Sequence, residues 1–241
     1  MSLLLEICAG SVQSAVAAQA GGANRIELCQ SLEQGGVTPS YGTIQRVLAL
    51  LTIPVFVLIR PRPGNFVYDA EEMAIMEADI RQCRALGCAG VVLGALDKTG
   101  RVDLATCRQL VEAAGNMSVT FHRAFDVCLD QHQALEDAIV LGCHRVLTSG
   151  GQLTAPQGQE QLAALVQQAG GRIQIMPGSG VTPTTIQDLA RCTGAQEFHA
   201  SAKKLLAGPP AAKATEFDAP RWETDADSVR ELVMRLCAVQ E

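Results

Sequence analysis

The sequence predicts an α/β fold in which eight strands alternate with helices. Apolar runs of strand length alternate with longer segments of helical period, which is the pattern of repeated βα units. A glycine followed by entry into a strand also recurs regularly, at Gly22, Gly87, Gly142 and Gly194. This spacing indicates four units of two βα elements each, and it favours a single-domain TIM-type (β/α)8 barrel over an open doubly wound sheet.

The strands are assigned, in chain order, to the apolar runs between turn signals. We expect them near residues 3–8, 25–29, 54–60, 90–96, 118–123, 145–149, 172–176 and 197–201. The segment after the third strand illustrates the helices, because Met76, Ile80 and Cys83 recur at helical spacing before Gly87 ends the helix. Residues 1–202 are therefore predicted to form the barrel core.

The end of the chain differs in composition from this core. Prolines such as Pro209 and Pro220 interrupt a segment with little apolar periodicity, and helical spacing returns only at Val229–Leu236. Residues 203–241 are expected to contain a long loop over 203–222 and a final helix that completes the same domain. The loop is interpreted either as a lid over the barrel mouth or as a mobile segment.

Composition and charge limit the classes of partner. With 48% hydrophobic and 18% charged residues, the chain can bury a large core. Its net charge of -6 provides no basic surface, and 4% aromatic residues leave little for base stacking, so nucleic acid is not an expected partner. Because no apolar stretch reaches membrane-spanning length, no membrane association is predicted.

Cysteine usage and the N-terminus bear on the cellular compartment. The nine cysteines form an odd set without regular framework spacing, and no Cys-x-x-Cys motif occurs. The apolar run Leu3–Leu5 has no basic residue before it and is interrupted by Glu6, unlike a signal peptide. Reduced thiols and a cytoplasmic location are therefore predicted.

Polar side chains repeatedly end the predicted strands, as at Glu27, Arg60 and His199. A strand buried on both faces should stay apolar, so a charged or hydrogen-bonding tip needs a reason. In a barrel the carboxyl ends of all strands meet at one face. We therefore expect these tips to assemble a single site there.

A Glu-x-Cys pattern occurs in the first two strands, at Glu6–Cys8 and Glu27–Cys29. Period two places the glutamate and the cysteine of each strand on one face, with the cysteine nearer the catalytic end. Two thiolates on neighbouring strands, which lie about 4.8 Å apart, could hold a soft monovalent ion between them. Alternatively, both cysteines are small buried hydrophobic residues.

Arginines and glycine-rich loops indicate an anion site. Arginines at strand ends suit either a salt-bridge network that balances the acidic tips or a clamp for carboxylate or phosphate, and the two interpretations are compatible. The loops after strands six and seven offer unobstructed backbone N–H groups at the end of the barrel where phosphate commonly binds. The candidate anion-binding residues are Arg25, Arg60, Arg62, Arg123, Ser149, Gly150, Gly178, Gly180 and Ser201.

Histidines and carboxylates at strand ends are candidate acid–base groups. His122 and His199 end strands five and eight beside carboxylates, and their alternative role is that of hydrogen-bonded core residues. The candidates are Glu27, His122 and His199, with Glu6 and Asp126 as further carboxylates. No lysine ends one of the eight strands, which argues against a Schiff-base aldolase.

Ordered motifs between residues 3 and 202 carry a family resemblance. They are Glu6–Cys8, Arg25–Cys29, Ile59–Arg62, Thr120–Asp126, Val146–Gly150, Met176–Gly178 and Glu197–Ser201. In these motifs the chain resembles the CutC family, which is linked to copper homeostasis. The resemblance implies a cytoplasmic TIM barrel, usually oligomeric, that is associated with copper tolerance and binds copper(I). The metal ligands it implies here are Cys8 and Cys29.

Two main hypotheses about function follow. The first is a copper(I)-binding homeostasis protein, and the second is a barrel enzyme acting on a small anionic metabolite that bears phosphate or carboxylate. Isomerase, lyase and hydrolytic chemistry stay open, as does the question whether the chain is an enzyme. A third hypothesis, a barrel kept only as an assembly module, predicts polar tips that bind one another and no cavity. In keeping with the resemblance, a homodimer or higher homo-oligomer is expected.

Overall fold

The computed structural model of the chain describes residues 3–206 and 221–239. The barrel strands are β1 (Leu4–Ala9), β2 (Arg25–Leu28), β3 (Val55–Leu58), β4 (Gly90–Leu93), β5 (Ser118–Phe121), β6 (Arg145–Thr148), β7 (Gln174–Pro177) and β8 (Glu197–Ala200). They form one eight-stranded sheet in the order β7-β6-β5-β4-β3-β2-β1-β8, and all neighbours are parallel. Because β7 and β8 also lie side by side, the sheet nearly closes, which confirms the predicted TIM-type barrel.

Helices follow the strands and cover the outside of the barrel. They are α1 (Val12–Ala20), α2 (Tyr41–Leu50), α3 (Ala70–Leu86), α4 (Leu104–Ala114), α5 (Gln131–Val140), α6 (Gln159–Ala169), α7 (Ile186–Thr193) and α8 (Ala226–Cys237). The start of α3 is fixed by a capping box between Asp69 and Glu72, and Gly87 ends the helix with a φ of 81°. Within the described ranges, no helix combines the length and the apolar character needed to cross a membrane.

The two faces of the barrel strands carry different side chains. Outward-facing residues such as Ile7, Ile26 and Val91 are apolar and fully buried against the helices. Inward-facing residues are mixed: charged side chains such as Glu6 are buried there, and Phe56, Leu58 and Val92 belong to a small second apolar cluster. A Cβ at Gly90 would lie 2.5 Å from the Phe56 ring, so glycine is required there to make room for it. The larger apolar core therefore lies between the barrel and its helices, while the inside holds charged groups beside a small apolar cluster.

Part of the predicted loop over 203–222 is instead a hairpin. The strands β9 (Lys203–Leu206) and β10 (Arg221–Thr224) pair antiparallel, and residues 207–220 lie outside the described residues. Glu223 on β10 accepts hydrogen bonds from the hydroxyls of Ser11 and Ser14 at the start of α1. These side-chain contacts come from a distant part of the chain, and for that reason apolar periodicity did not predict the hairpin.

Candidate functional site

A closed network of four charged side chains, which we call the lower network, lies deep inside the barrel. It consists of Glu6, Arg25, Arg145 and Glu197, all buried. Arg25 donates to both glutamates, and Arg145 Nε donates to Glu197 Oε2 over 3.0 Å. Both guanidinium groups also lie over the Phe56 ring, at 5.2 and 4.9 Å from its centroid. Each charge in this network therefore has an opposite charge beside it.

His199 connects the lower network to Glu27. Its Nδ1 lies 2.7 Å from Glu6 Oε1, and its Nε2 lies 3.6 Å from Glu27 Oε2. Burial alone would raise the pKa of Glu6, but Arg25 and His199 lower it to about 2. Burial would lower the pKa of His199, but the hydrogen bond to Glu6 and the charge of Glu27 raise it above its ordinary value. Burial raises the pKa of Glu27. A proton can thus be held among three adjacent groups.

Two thiols lie immediately above these carboxylates. The Sγ atoms of Cys8 and Cys29 are 3.4 Å apart, and both residues are buried. The hydrogen bond with Cys29 and burial together raise the pKa of Cys8 well above its ordinary value. The donor atoms of Cys8, Glu27 and His199 all lie within 4.8 Å of one another. The arrangement offers soft sulfur, imidazole and carboxylate ligands to one ion.

A cavity of about 410 Å³ opens above the thiols at the carboxyl ends of the strands. Nine of the predicted site residues line it, namely Cys8, Glu27, Cys29, Arg60, His122, Arg123, Gly180, His199 and Ser201. Leu32, Leu58, Phe66 and Leu147 contribute apolar wall. The polar strand ends are therefore not occupied solely with one another, and the cavity is of a size that suits a small ligand.

Arg60 is buried in the cavity wall without a balancing carboxylate. Its Nη1 donates to the carbonyl oxygens of Gln34 and Gly36, and its Nη2 donates to that of Gly64, over 3.1, 2.7 and 2.7 Å. Its Nε has no hydrogen-bond partner. Across residues 3–206 and 221–239, no carboxylate lies within salt-bridge distance of Arg60. The two glutamates of the lower network bind Arg25 instead. In the described residues the positive charge of Arg60 is met by backbone carbonyl dipoles and by the face of the Phe66 ring.

His122 is a buried neutral donor. Its Nδ1 accepts the Ala124 N–H over 3.2 Å, so Nε2 carries the ring hydrogen, and that atom has no partner in the described part of the chain. Burial, together with the charge of Arg60, lowers the pKa of His122 to about 3. The Phe66 ring lies 4.9 Å from the imidazole and 5.0 Å from the Arg60 guanidinium carbon. Arg60 and His122 thus flank one aromatic ring, and we call them the upper pair.

Comparison with known proteins places this geometry in a family. The CutC family model matches residues 3–204, which is most of the chain. The chain belongs to the CutC family. A CutC family protein of Xanthomonas axonopodis pv. citri (strain 306) is 59% identical over 203 residues, covering 84% of this chain and 85% of that protein. One from Xanthomonas campestris pv. campestris (strain 8004) is 54% identical over 239 residues, covering 96% and 98%.

Solved structures agree with the family and the fold. A crystal structure of CutC from Streptococcus agalactiae, whose name connects it with copper homeostasis, has a TM-score of 0.79 and 36% identity, covering 83% of this chain and 98% of that one. Thiamine phosphate pyrophosphorylase from Pyrococcus furiosus has a TM-score of 0.63 and 16% identity, covering 99% and 98%. The second likeness is one of barrel fold alone.

Other predicted residues of this CutC chain lie outside the cavity. Arg62 binds Glu72 and the carbonyl oxygens of its own loop, because the chain turns after β3 and the alternation of a strand no longer applies. Asp126 accepts the Ser149 N–H over 2.9 Å and is paired with Arg123, which anchors the loop containing Gly150. Gly178 is packed where a Cβ would lie 2.5 Å from Leu147. Glu6 and Arg25 belong to the lower network.

Several residues of the CutC site were not predicted from the sequence. Glu197 lies two positions before His199, and Arg145 begins the strand that ends near Ser149, so alternation could have identified both. Phe66 and Ser179 come from irregular segments and have no periodic signal, and Lys203 begins the short strand β9. Lys203 lines the mouth just beyond β8, where the sequence indicated a loop, and its Nζ lies 4.8 Å from the Trp222 ring centroid. A lysine is therefore near the cavity after all.

Proposed function

We propose that the chain binds copper(I) between Cys8 and Cys29 and thereby serves copper homeostasis. The single observation that supports this most is the 3.4 Å separation of the two sulfur atoms at the floor of the cavity. Thiolate sulfur is the ligand type that selects copper(I), and both sulfurs can reach one ion. Family membership supports the same assignment, since the Streptococcus agalactiae relative carries copper homeostasis in its name.

The neighbours of the thiols suit a bound cation. Glu27 and His199 have donor atoms within 4.8 Å of Cys8, so carboxylate and imidazole ligands are also within reach. Imidazole is a good copper ligand, and buried cations require such partners. Copper(I) would be the cargo of the protein, taken up and released at the open end of the barrel.

Competition with a chromogenic copper(I) chelator tests the proposal under reducing, oxygen-free conditions. Cys8→Ser and Cys29→Ser should each weaken copper(I) affinity by at least about tenfold, because one of two soft ligands is lost. Cys192→Ser, at an exposed cysteine on α7, is the matched control and should bind as the wild type does. Unchanged affinity in both cavity variants would exclude this site.

A second candidate function, an enzyme acting on a small anionic substrate, is favoured by the charges of the cavity. Arg60, Arg123 and Lys203 line it, and in the described lining Glu27 is the only carboxylate. Asp126 balances Arg123, whereas Arg60 has no such partner. Glu27 and His199 would supply proton-transfer groups beside a bound anion.

Thermal unfolding with a panel of small carboxylates and phosphates tests this second candidate. A ligand that binds only the native protein raises the unfolding temperature, by an amount that grows with its concentration. We expect at least one anion of the panel to do so, and we expect the chloride salts of the same cations to have no effect. A panel without any stabilising anion would contradict the enzyme hypothesis.

We also propose a cytoplasmic location and a homodimer or higher homo-oligomer. All nine cysteines are free thiols, which suits a reducing compartment. The β9–β10 hairpin exposes Leu205, Leu206 and Trp222, an apolar surface of the kind that supports self-association. Light scattering on the purified chain tests the oligomeric state, and a monomer at micromolar concentration would contradict the proposed homo-oligomer.

A further inference from the structure

We propose that the upper pair, Arg60 and His122, binds the carboxylate group of a small ligand in the cavity. The proposal rests on the second candidate function and specifies its ligand. Both residues line the cavity, and both are more than nine-tenths buried. Each has a buried N–H group, Nε of Arg60 and Nε2 of His122, that has no hydrogen-bond partner in the described part of the chain. Buried donors are almost always satisfied in proteins, so two of them at one cavity indicate a ligand that accepts their hydrogen bonds.

The positive charge of Arg60 would be balanced by a ligand that carries one negative charge. Arg60 is buried with no carboxylate within salt-bridge distance in residues 3–206 and 221–239, and burial of an unpaired charge is strongly unfavourable. Its Nη atoms already donate to the carbonyl oxygens of Gln34, Gly36 and Gly64, which fixes the guanidinium in place. The guanidinium is thus held in position before a ligand arrives, and no carboxylate in the described residues balances its charge.

His122 adds a donor without adding charge. Because its Nδ1 is occupied by the Ala124 N–H, the ring presents Nε2–H in a fixed tautomer. Gly94 allows this position, since a Cβ there would lie 2.7 Å from Nδ1. The pKa of His122, lowered to about 3, keeps the ring neutral at physiological pH. A neutral donor binds a carboxylate or carbonyl oxygen without repelling Arg60.

The numbers of charges and donors distinguish carboxylate from phosphate. The upper pair offers one uncompensated positive charge and two unpartnered N–H groups. A carboxylate brings one negative charge and two oxygens, whereas a phosphate group brings nearly two charges and three oxygens at neutral pH. Both N–H groups are covered in the cavity wall, and Phe66 packs against both side chains, so we expect binding to displace the Phe66 ring.

Isothermal titration of the full chain with pyruvate and with inorganic phosphate tests the proposal. Pyruvate should bind saturably and more tightly than phosphate. Arg60→Met and His122→Asn should each weaken pyruvate binding by about tenfold or more, because a charge-assisted or buried hydrogen bond is lost. His122→Gln should bind within about threefold of wild type, since its amide nitrogen can replace Nε2 as a donor.

The controls separate this site from general effects. Arg81→Met removes an exposed arginine on α3 that binds Glu77, and it should leave pyruvate affinity unchanged. If Arg60→Met does not fold, Arg60→Lys and His122→Asn carry the test, with circular dichroism confirming native structure. In each variant, the chelator assay for copper(I) should give the wild-type result.

The outcomes are distinguishable. Pyruvate binding that is equal in wild type, Arg60→Met and His122→Asn would overturn the upper-pair site but leave the second candidate function standing. Phosphate binding tighter than pyruvate, with the same dependence on Arg60 and His122, would overturn the carboxylate assignment. No saturable binding of either anion would overturn the upper-pair site, whereas the second candidate function is decided separately by thermal unfolding with the wider panel of anions.

Discussion

The lower network and the upper pair are two sets of buried charge in one barrel, and they are built on opposite principles. In the lower network, Arg25 and Arg145 share Glu197, and Arg25 also binds Glu6. In the upper pair, Arg60 donates hydrogen bonds to backbone carbonyl oxygens and to no carboxylate, and His122 has an unpartnered donor within the described residues. Buried charge with its partners present holds a structure together, whereas buried charge without them destabilises it and is retained for another purpose.

The thiols and Glu27 lie between these two sets, beside His199. His199 joins the lower network to the cavity, because Glu6 holds its Nδ1 while its Nε2 faces Glu27. The lower network therefore orients the side chains that form the floor of the cavity. Substitutions in the lower network should affect stability first, and substitutions in the upper pair should affect ligand binding first.

The largest expected effect is that of Glu6→Gln in the lower network. The change keeps the shape of the side chain but leaves Arg25 and Arg145 to share Glu197 as the remaining carboxylate of the network, and it removes the carboxylate beside His199 Nδ1. Breaking a buried ion pair by removing one partner costs about 3–5 kcal/mol, and we expect a loss of that size in the free energy of unfolding in urea.

An exposed ion pair provides the control. Glu136→Gln removes the carboxylate that binds Arg172 at the surface, and it should change the urea midpoint little. A Glu6→Gln variant as stable as Glu136→Gln would mean that the lower network is not what holds the barrel interior together.

A smaller effect is expected for Gly94→Ala next to the upper pair. The added Cβ would lie 2.7 Å from His122 Nδ1 and 2.8 Å from its Cε1, so the imidazole has to move. Overpacking of this kind costs about 1–3 kcal/mol, and pyruvate binding should weaken together with stability. Gly42→Ala in α2, where nothing lies within 4 Å, is the control and should be neutral or slightly stabilising. Native stability and native binding in Gly94→Ala would contradict the placement of His122.

The barrel was predictable from sequence because the residue patterns that produce its strands and helices are periodic. Apolar runs, helical spacing and helix-ending glycines are local signals, and the parallel register then brings the strand ends together. The hairpin of β9 and β10 was not predictable in this way, since its contacts with Ser11 and Ser14 come from the other end of the chain. Tertiary contacts decided its conformation, and local propensity did not.

The candidate site was predictable only as far as strand geometry reaches. Cys8, Cys29 and Glu27 lie where alternation places them. Arg60 and Arg62 were both candidate anion-binding residues, but Arg62 follows a turn and binds Glu72 instead. Loop conformation decides which buried charges have partners. One loop, for example, brings the carbonyl oxygens of Gln34 and Gly36 to Arg60. Sequence patterns do not report the conformation of such loops.

The smallest effect at neutral pH, and the one that distinguishes the two sets by pH, is expected for His122→Asn. The asparagine side chain can still accept the Ala124 N–H, so we expect the free energy of unfolding at pH 7 to change by only about 1 kcal/mol.

In the wild type the pKa of His122 is lowered from 6.5 to about 3, so the unfolded chain binds a proton that the native protein excludes. That difference stabilises the native state fully above about pH 6.5 and is lost progressively as the pH falls toward 3. Urea unfolding at several pH values should therefore show a shallower acid loss of stability in His122→Asn than in wild type, with His132→Asn on the exposed surface of α5 as the control for removal of a histidine. Parallel curves for wild type and His122→Asn would mean that His122 takes up its proton equally in both states, and the upper pair would then lose the neutral donor that sets it apart from the lower network.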